Sequence, residues 1–172
     1  RSVRSFVDEV LVIDDGSHDR TGVEAAAAGA RVLRHVVNRG LGAAIQTGLT
    51  AARQAGADIA ITFDADGQHL VDDIARLSEP LRSGDADVTL GCRTVDRAQM
   101  PWFRRLFNNT ANVLTFVLFG VWVKDSQSGL RAFNRLALET INLRCDRWAV
   151  SSEIVKEIHD HSLRLVEVPI VP

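Results

Sequence analysis

Cysteine is scarce in this chain of 172 residues, and its two copies, Cys92 and Cys145, stand far apart. That excludes a disulfide framework and a zinc site, and it fits a reducing, cytosolic setting. Net charge is also small, at −2. Nothing in it draws the protein as a whole toward nucleic acid. No apolar run reaches the ~18 residues that a membrane-spanning helix needs. The nearest, Val113 to Val123, is broken by Thr115 and Gly120, although it could still lie on a bilayer. The first residue is Arg1, and nothing near it resembles a signal peptide, so a fragment or mature segment is expected. There is no internal repeat, no low-complexity linker and no readable Ser/His/Asp arrangement.

What remains is an ordinary globular composition, 46% apolar and 24% charged. One domain of this length buries roughly 70% of its unfolded surface. We read residues 1–172 as a single domain with a change of pattern after residue 100.

Before that point strand-like and helix-like segments alternate. Val10 to Ile13 reads as a strand, Thr21 to Ala28 as a helix and Arg31 to Val37 as a strand. The helix after Asn38-Arg39-Gly40-Leu41-Gly42 places Leu41, Ala44, Ile45, Gly48, Leu49 and Ala52 on one face. Asp58 to Phe63 is a third strand. Val71, Ile74, Ala75 and Leu81 mark another helix, and Asp87 to Cys92 a fourth strand. This order predicts an α/β domain with a mostly parallel sheet. After residue 100, Phe103, Leu106, Phe107, Thr110, Val113, Leu114, Val117 and Leu118 form a helical stripe. A short run follows at Leu130 to Phe133, then a helix at about Val150 to His159. A last strand, Leu163 to Val168, ends at Pro169.

Phe63-Asp64-Ala65-Asp66-Gly67-Gln68-His69 carries the clearest chemistry. Paired carboxylates at the open end of a strand suit a hard divalent cation, Mg²⁺ or Mn²⁺, whose shell is completed by water and phosphate oxygens. The plainer alternative is an acidic turn. Asp14-Asp15-Gly16-Ser17 also ends a strand, and ligands in such sheets bind beyond the carboxyl ends of the strands. Its alternative is an Asx-type turn. Asn38 to Gly42 opens a helix whose amides can meet an anion. It lacks the full Gly-x-Gly-x-x-Gly spacing, because Ile45 occupies the third glycine place, so helix entry is the simpler role.

Arg93, Arg97, Arg104 and Arg105 gather positive charge that suits phosphate oxygens, or else forms a solvated face with salt bridges. Met100, Trp102, Phe103 and Trp122 beside them suit either core packing or a membrane interface. Of the five histidines only His69 lies in a motif, and His159 and His161 would point to different helix faces.

Taken together, these motifs resemble the family 2 glycosyltransferases of the GT-A fold, and within them the dolichol- or polyprenyl-phosphate sugar synthases. The matching stretches are Val12 to Ser17, Asn38 to Gly48, Phe63 to His69, Gly91-Cys92-Arg93, Asp125 to Phe133, and Glu153 through Glu167-Val168-Pro169-Ile170. They occur in family order along nearly the whole chain. The resemblance implies a Rossmann-like nucleotide-diphospho-sugar transferase fold, with a nucleotide-sugar half over about 1–93 and an acceptor half over about 94–172. It implies that Asp14 and Asp15 contact the base and ribose, with Ser17, Asn38 and Gly40 beside them. Asp64, Asp66 and Gln68 would hold the metal on the donor diphosphate. Arg93, Arg104 and Arg105 would grip phosphates. Ser128, Gly129 and Arg131 would shape the acceptor side, and Asp125 or Glu153 would be the general base if the acceptor were a hydroxyl.

The implied activity is metal-dependent, inverting transfer of a sugar from a nucleotide-diphosphate sugar to a polyprenyl phosphate, as in dolichyl-phosphate mannosyltransferases. The implied place is the cytoplasmic face of a membrane, in peripheral contact with it, with no nucleic acid involved. The pattern departs from the family in three respects. Asn108 stands where the family has Ser or Gly after the arginine pair, and the membrane helices that often follow the domain are expected to be absent. The family's first strand, with its Pro-x-Tyr/Phe-Asn-Glu motif, is also expected to be missing, since only thirteen residues precede Asp14. Two rivals follow: a non-catalytic nucleotide-sugar-binding domain, and a phosphatase of the haloacid dehalogenase type with Asp64 as nucleophile. The latter expects Thr or Val where Gln68 stands. A calcium loop fails, because Gly67 occupies loop position 4 rather than 6.

Overall fold

The computed structural model describes residues 2–64, 67, 69–93, 129–145 and 149–170. The helical stripe after residue 100 lies outside them, as do Asp66, Gln68, Arg97, Met100, Trp102, Arg104, Arg105, Trp122, Asp125 and Ser128.

A short 3₁₀ turn, Ser2–Ser5, precedes β1 (Leu11–Asp14), α1 (Thr21–Ala27), β2 (Arg31–Arg34) and α2 (Leu41–Gln54). Then come β3 (Ile59–Thr62), α3 (Asp73–Arg82), β4 (Val88–Arg93), β5 (Arg131–Asn134), α4 (Arg135–Thr140), α5 (Val150–Asp160) and β6 (Leu165–Ile170). The expected α/β alternation is present. The expected strands fall within a few residues of their places, although β2 stops at Arg34 rather than Val37.

The strands form two ladders. β1 and β2 pair in parallel, Leu11 opposite Arg31 and Asp14 opposite Arg34. The other four lie in the order β3-β5-β4-β6. There β3, β4 and β6 share one direction, and β5 runs against both neighbours, with Thr62 and Leu90 opposite Arg131. β6 does not stop at Pro169: that residue pairs with Cys92, and the strand continues to Ile170. Proline has no N–H to donate, and an edge strand tolerates the loss. Among the described residues β6 is such an edge, bonded to β4 alone.

Side chains alternate across the four-stranded sheet, as a pleat requires. One face sends Val88, Leu90 and Phe133 against Leu49 of α2, Leu138 of α4, and Val150, Ile154 and Ile158 of α5. The other sends Ala132, Val168 and Ile170, with Leu130 just ahead of β5, against Leu77 and Leu81 of α3. Fully burying one such large apolar side chain contributes about 1.5–3 kcal/mol. Among the described residues these two layers hold the largest buried apolar side chains. The β1–β2 ladder is thinner: Leu11, Val12 and Ile13 are only half-buried, and α1 has no buried residue. On α2, Leu49 and Ala52 face the core as expected, but Leu41 is exposed. On α3, Ala75 is exposed, and Leu77 takes the buried place.

Candidate functional site

The Asp14–Ser17 turn and the Asn38–Gly40 turn form one unit. Asp14 is 2% exposed. Its Oδ1 accepts from Ser17 N at 2.8 Å, and Arg34 Nε lies 3.4 Å from its Oδ2. Hydrogen bonding by Ser17 holds the Asp14 carboxyl below its usual pKa, with burial opposing. Arg34 Nη2 also donates to Ser17 O at 2.6 Å, which ties β2 to the turn. Gly16 has φ +77°, and a Cβ there would stand 2.8 Å from both Asn38 N and Val37 C. Only glycine lets the two turns touch in this way.

Asp15 faces the start of α2. Its Oδ1 accepts from Arg39 N at 2.9 Å, and its Oδ2 from Gly40 N at 2.7 Å. His35 Nδ1 is 2.6 Å from the same Oδ1, and His35 Nε2 is 2.9 Å from Thr47 Oγ1 on α2. Burial pushes the Asp15 pKa up, but these donors outweigh it and the carboxyl stays below its usual value. The anion is thereby kept at neutral pH, and Oδ2 retains a lone pair for a further donor.

A second unit joins the Phe63–His69 motif to the segment before β5. Asp64 follows β3 and is exposed. Its carboxylate lies against Gly129, whose Cβ, if present, would sit 1.8 Å from Asp64 Oδ2. Thr62 Oγ1 donates to Gly129 O at 2.8 Å, which fixes the backbone beneath it. His69 packs edge-on to Phe63, with centroids 5.8 Å apart. Arg131 opens β5 at 2% exposure, with Nη2 donating to Ser151 Oγ of α5 at 2.8 Å. A hard, exposed carboxylate at a strand end is suited to Mg²⁺ or Mn²⁺. Of the three expected ligands, Asp64 alone is among the described residues.

The remaining expected residues are placed as follows. Asn38 is exposed at the turn beside Gly16, and Gly40 precedes α2 with φ +96°. Arg93 ends β4. Glu153, in the first turn of α5, accepts from Arg144 N through Oε1 at 2.8 Å and from Cys145 N through Oε2 at 2.9 Å, so it tethers that loop. His35 and Thr47 were not singled out by the sequence reading. The sequence hid both: His35 fell inside the strand expected over Arg31 to Val37, and Thr47 lies off the apolar stripe expected on the following helix.

Residues 1–141 match the family model described as glycosyl transferase family 2. An uncharacterized protein of Methanocaldococcus jannaschii is 42% identical over 166 residues, 94% of this chain and 68% of that protein. The UDP-N-acetylglucosamine–dolichyl-phosphate N-acetylglucosaminyltransferase of Methanococcus voltae is 36% identical, covering 95% of this chain and 74% of that protein. The polyprenol monophosphomannose synthase of Mycolicibacterium smegmatis is 32% identical, covering 94% and 65%. Among solved structures, glucosyl-3-phosphoglycerate synthase from Mycobacterium tuberculosis, in complex with Mn²⁺, UDP-glucose and phosphoglyceric acid, superposes with a TM-score of 0.71. It is 23% identical, and the match covers 96% of this chain and 59% of that one. That likeness shows the fold, which is the GT-A fold expected from the motifs.

Proposed function

The chain belongs to glycosyl transferase family 2, and from that premise we propose that it serves in transferring a sugar from a nucleotide-diphosphate sugar to a polyprenyl phosphate, with inversion at the sugar carbon. The observation that carries this reading is the exposed Asp64 carboxylate at the open end of β3, seated on Gly129. The two relatives with named activities, which take dolichyl phosphate and polyprenol by their names, support the acceptor class.

In this reading Asp15 receives a donor N–H or O–H of the nucleoside, and Asp14 holds the turn that presents it, with Ser17 and Asn38 beside it. Gly40 gives its amide to Asp15 and opens α2 next to the nucleotide. Asp64, with Asp66 and Gln68, would hold Mg²⁺ or Mn²⁺. When bound, that ion stabilises negative charge developing on the leaving diphosphate. Arg93, Arg104 and Arg105 grip phosphates, and Arg131 braces the acceptor side with Ser128. The attacking phosphate monoester has a second pKa of about 6 and is largely dianionic at neutral pH, so it needs no general base. A hydroxyl acceptor would need one. Glu153 accepts one backbone N–H on each carboxylate oxygen, which tethers the 144–145 loop to α5. The other candidate base, Asp125, lies outside the described residues.

No helix among the described residues is long and apolar enough to cross a membrane. A lipid acceptor places the reaction at a membrane surface, and we assign the enzyme to the cytoplasmic face in peripheral contact.

The test is a screen of UDP- and GDP-sugars against the full-length protein, with Mg²⁺ or Mn²⁺, a short polyprenyl phosphate and the corresponding alcohol. Transfer to the phosphate alone is expected, and Asp66→Ala should abolish it. Undiminished turnover in that variant, or transfer only to the alcohol, would sink the reading.

A further inference from the structure

We infer that Gly129 is a positioning residue for the Asp64 carboxylate rather than a contact to the acceptor. Gly129 is not among the glycines with positive φ, so its conformation does not require glycine. The space above it does. The three heavy atoms nearest to an added Cβ all belong to the Asp64 carboxyl group: Oδ2 at 1.8 Å, Cγ at 2.5 Å and Oδ1 at 3.0 Å. Ordinary contact between such atoms is about 3.5 Å. A methyl group at residue 129 and the present Asp64 rotamer exclude one another.

Which partner yields follows from the surroundings. Thr62 Oγ1 donates to Gly129 O at 2.8 Å, and Gly91 N donates to the next carbonyl, Leu130 O, at 2.9 Å. Arg131 is already paired with Thr62 across the ladder. The backbone at 129 is therefore pinned from β3 and β4. Asp64 is the tip of a flexible, exposed side chain. It rotates away at little cost to folding, and its oxygens leave their present place by more than an ångström. Gly129 thus couples the segment before β5 to the metal-facing carboxylate after β3. The two motifs lie far apart in sequence and meet at this one missing side chain.

This inference rests on the reading of Asp64 as a metal-holding residue. It is tested by titrating Mn²⁺ into the full-length protein, alone and with UDP or GDP, reading bound ion by its paramagnetic resonance. Gly129→Ala should weaken Mn²⁺ binding roughly tenfold to a hundredfold, as loss of a ligand's support does. Its Tm should stay within about 2 °C of the parent, a shift worth under 1 kcal/mol in a protein of this size. In an Asp64→Asn background the same substitution should cost nothing further, because both changes act on one carboxylate. Unchanged Mn²⁺ affinity in Gly129→Ala overturns the inference and leaves the sugar-transfer reading standing. A collapse of Tm also overturns it, since the strain then falls on the backbone and not on Asp64. If Asp64→Asn alone binds Mn²⁺ as the parent does, the metal role of Asp64 falls, and the role of Gly129 falls with it.

Discussion

His35 Nδ1 stands 2.6 Å from Asp15 Oδ1, and this pair links the end of β2 to the end of β1. The other ring nitrogen reaches Thr47 Oγ1 at 2.9 Å, so α2 is held by the same side chain. The pair sits beneath the Arg39 and Gly40 amides that Asp15 also binds. Removing the ring leaves a half-buried carboxylate with one donor fewer. His35→Ala should cost about 1–3 kcal/mol of stability. It should also raise KM for the nucleotide sugar more than it lowers kcat. His35→Asn keeps a donor near the Nδ1 position and should recover most of the KM. Urea unfolding and donor titrations of the three proteins check this. An unchanged KM in His35→Ala would show that the contact serves folding only.

Gly16 and Gly84 separate two costs of replacing glycine. Both have positive φ, +77° and +78°. At Gly84 a Cβ meets nothing within 4 Å, whereas at Gly16 it meets the Val37–Asn38 backbone at 2.8 Å. Gly84→Ala should lose about 1 kcal/mol from backbone strain alone. Gly16→Ala should lose about 3 kcal/mol or more, because neither backbone segment can yield as a side-chain tip would. Denaturant midpoints of the two variants decide this. Equal losses would mean that the Asp14–Ser17 and Asn38–Gly40 turns move freely apart.

Asp87 predicts how the fold responds to acid. It is buried at the entry to β4, where Arg164 Nη2 donates to Oδ1 at 2.8 Å and Arg164 Nε to Oδ2 at 3.0 Å. Arg164 N and Asn134 Nδ2 complete the set. The Arg164 hydrogen bonds come first among the causes that draw its pKa from 3.8 down to about 2, against burial. A folded pKa below the unfolded one stabilises the protein above the unfolded value. The contribution, about 2 kcal/mol at neutral pH, is lost as pH falls through 4 toward 2. Asp87→Asn should lower stability at pH 7 and shrink the difference from the parent below pH 3. Urea midpoints at pH 7, 4 and 3 measure it. A gap that stays constant with pH would assign the loss to packing.

The places of the acidic turns were legible in the sequence because carboxylates and glycines at strand ends are local signals. Asp15 and Asp64 stand where the alternation of strands and helices put them. Their partners were not legible. Asp64 meets Gly129 across a chain separation that the antiparallel pairing of β3 with β5 closes, and the short run Leu130 to Phe133 does not announce its direction. The short α4 was missed for a related reason: it follows β5 without a turn, and its cap, Asn134 accepting from Ala137 N at 2.9 Å, is itself the last residue of the strand. Pro169 looked like a strand end because proline breaks ladders. It does not break this one, since among the described residues β6 is bonded to β4 alone.

The division into two ladders predicts uneven protection of the backbone. β1 and β2 pair only with each other among the described residues, and a two-stranded sheet is marginal without support. Their support is α2, with Gly48 close against Ile13, and α1, which buries no residue. β4 and β5, by contrast, carry Val88, Leu90, Ala132 and Phe133 at 0–2% exposure. Opening free energies rise with buried apolar contact. Amide hydrogens of Leu11–Asp14 and Arg31–Arg34 should therefore exchange at least tenfold faster than those of Val88–Leu90 and Arg131–Phe133, a gap of about 1.4 kcal/mol or more. UDP or GDP, if it docks on the Asp15 and Gly40 turns, should slow the first set and leave the second unchanged. Hydrogen exchange read by mass spectrometry tests both parts. Equal exchange in the two ladders would mean that they open as one unit, and a nucleotide effect confined to β4 and β5 would move the nucleotide away from Asp15.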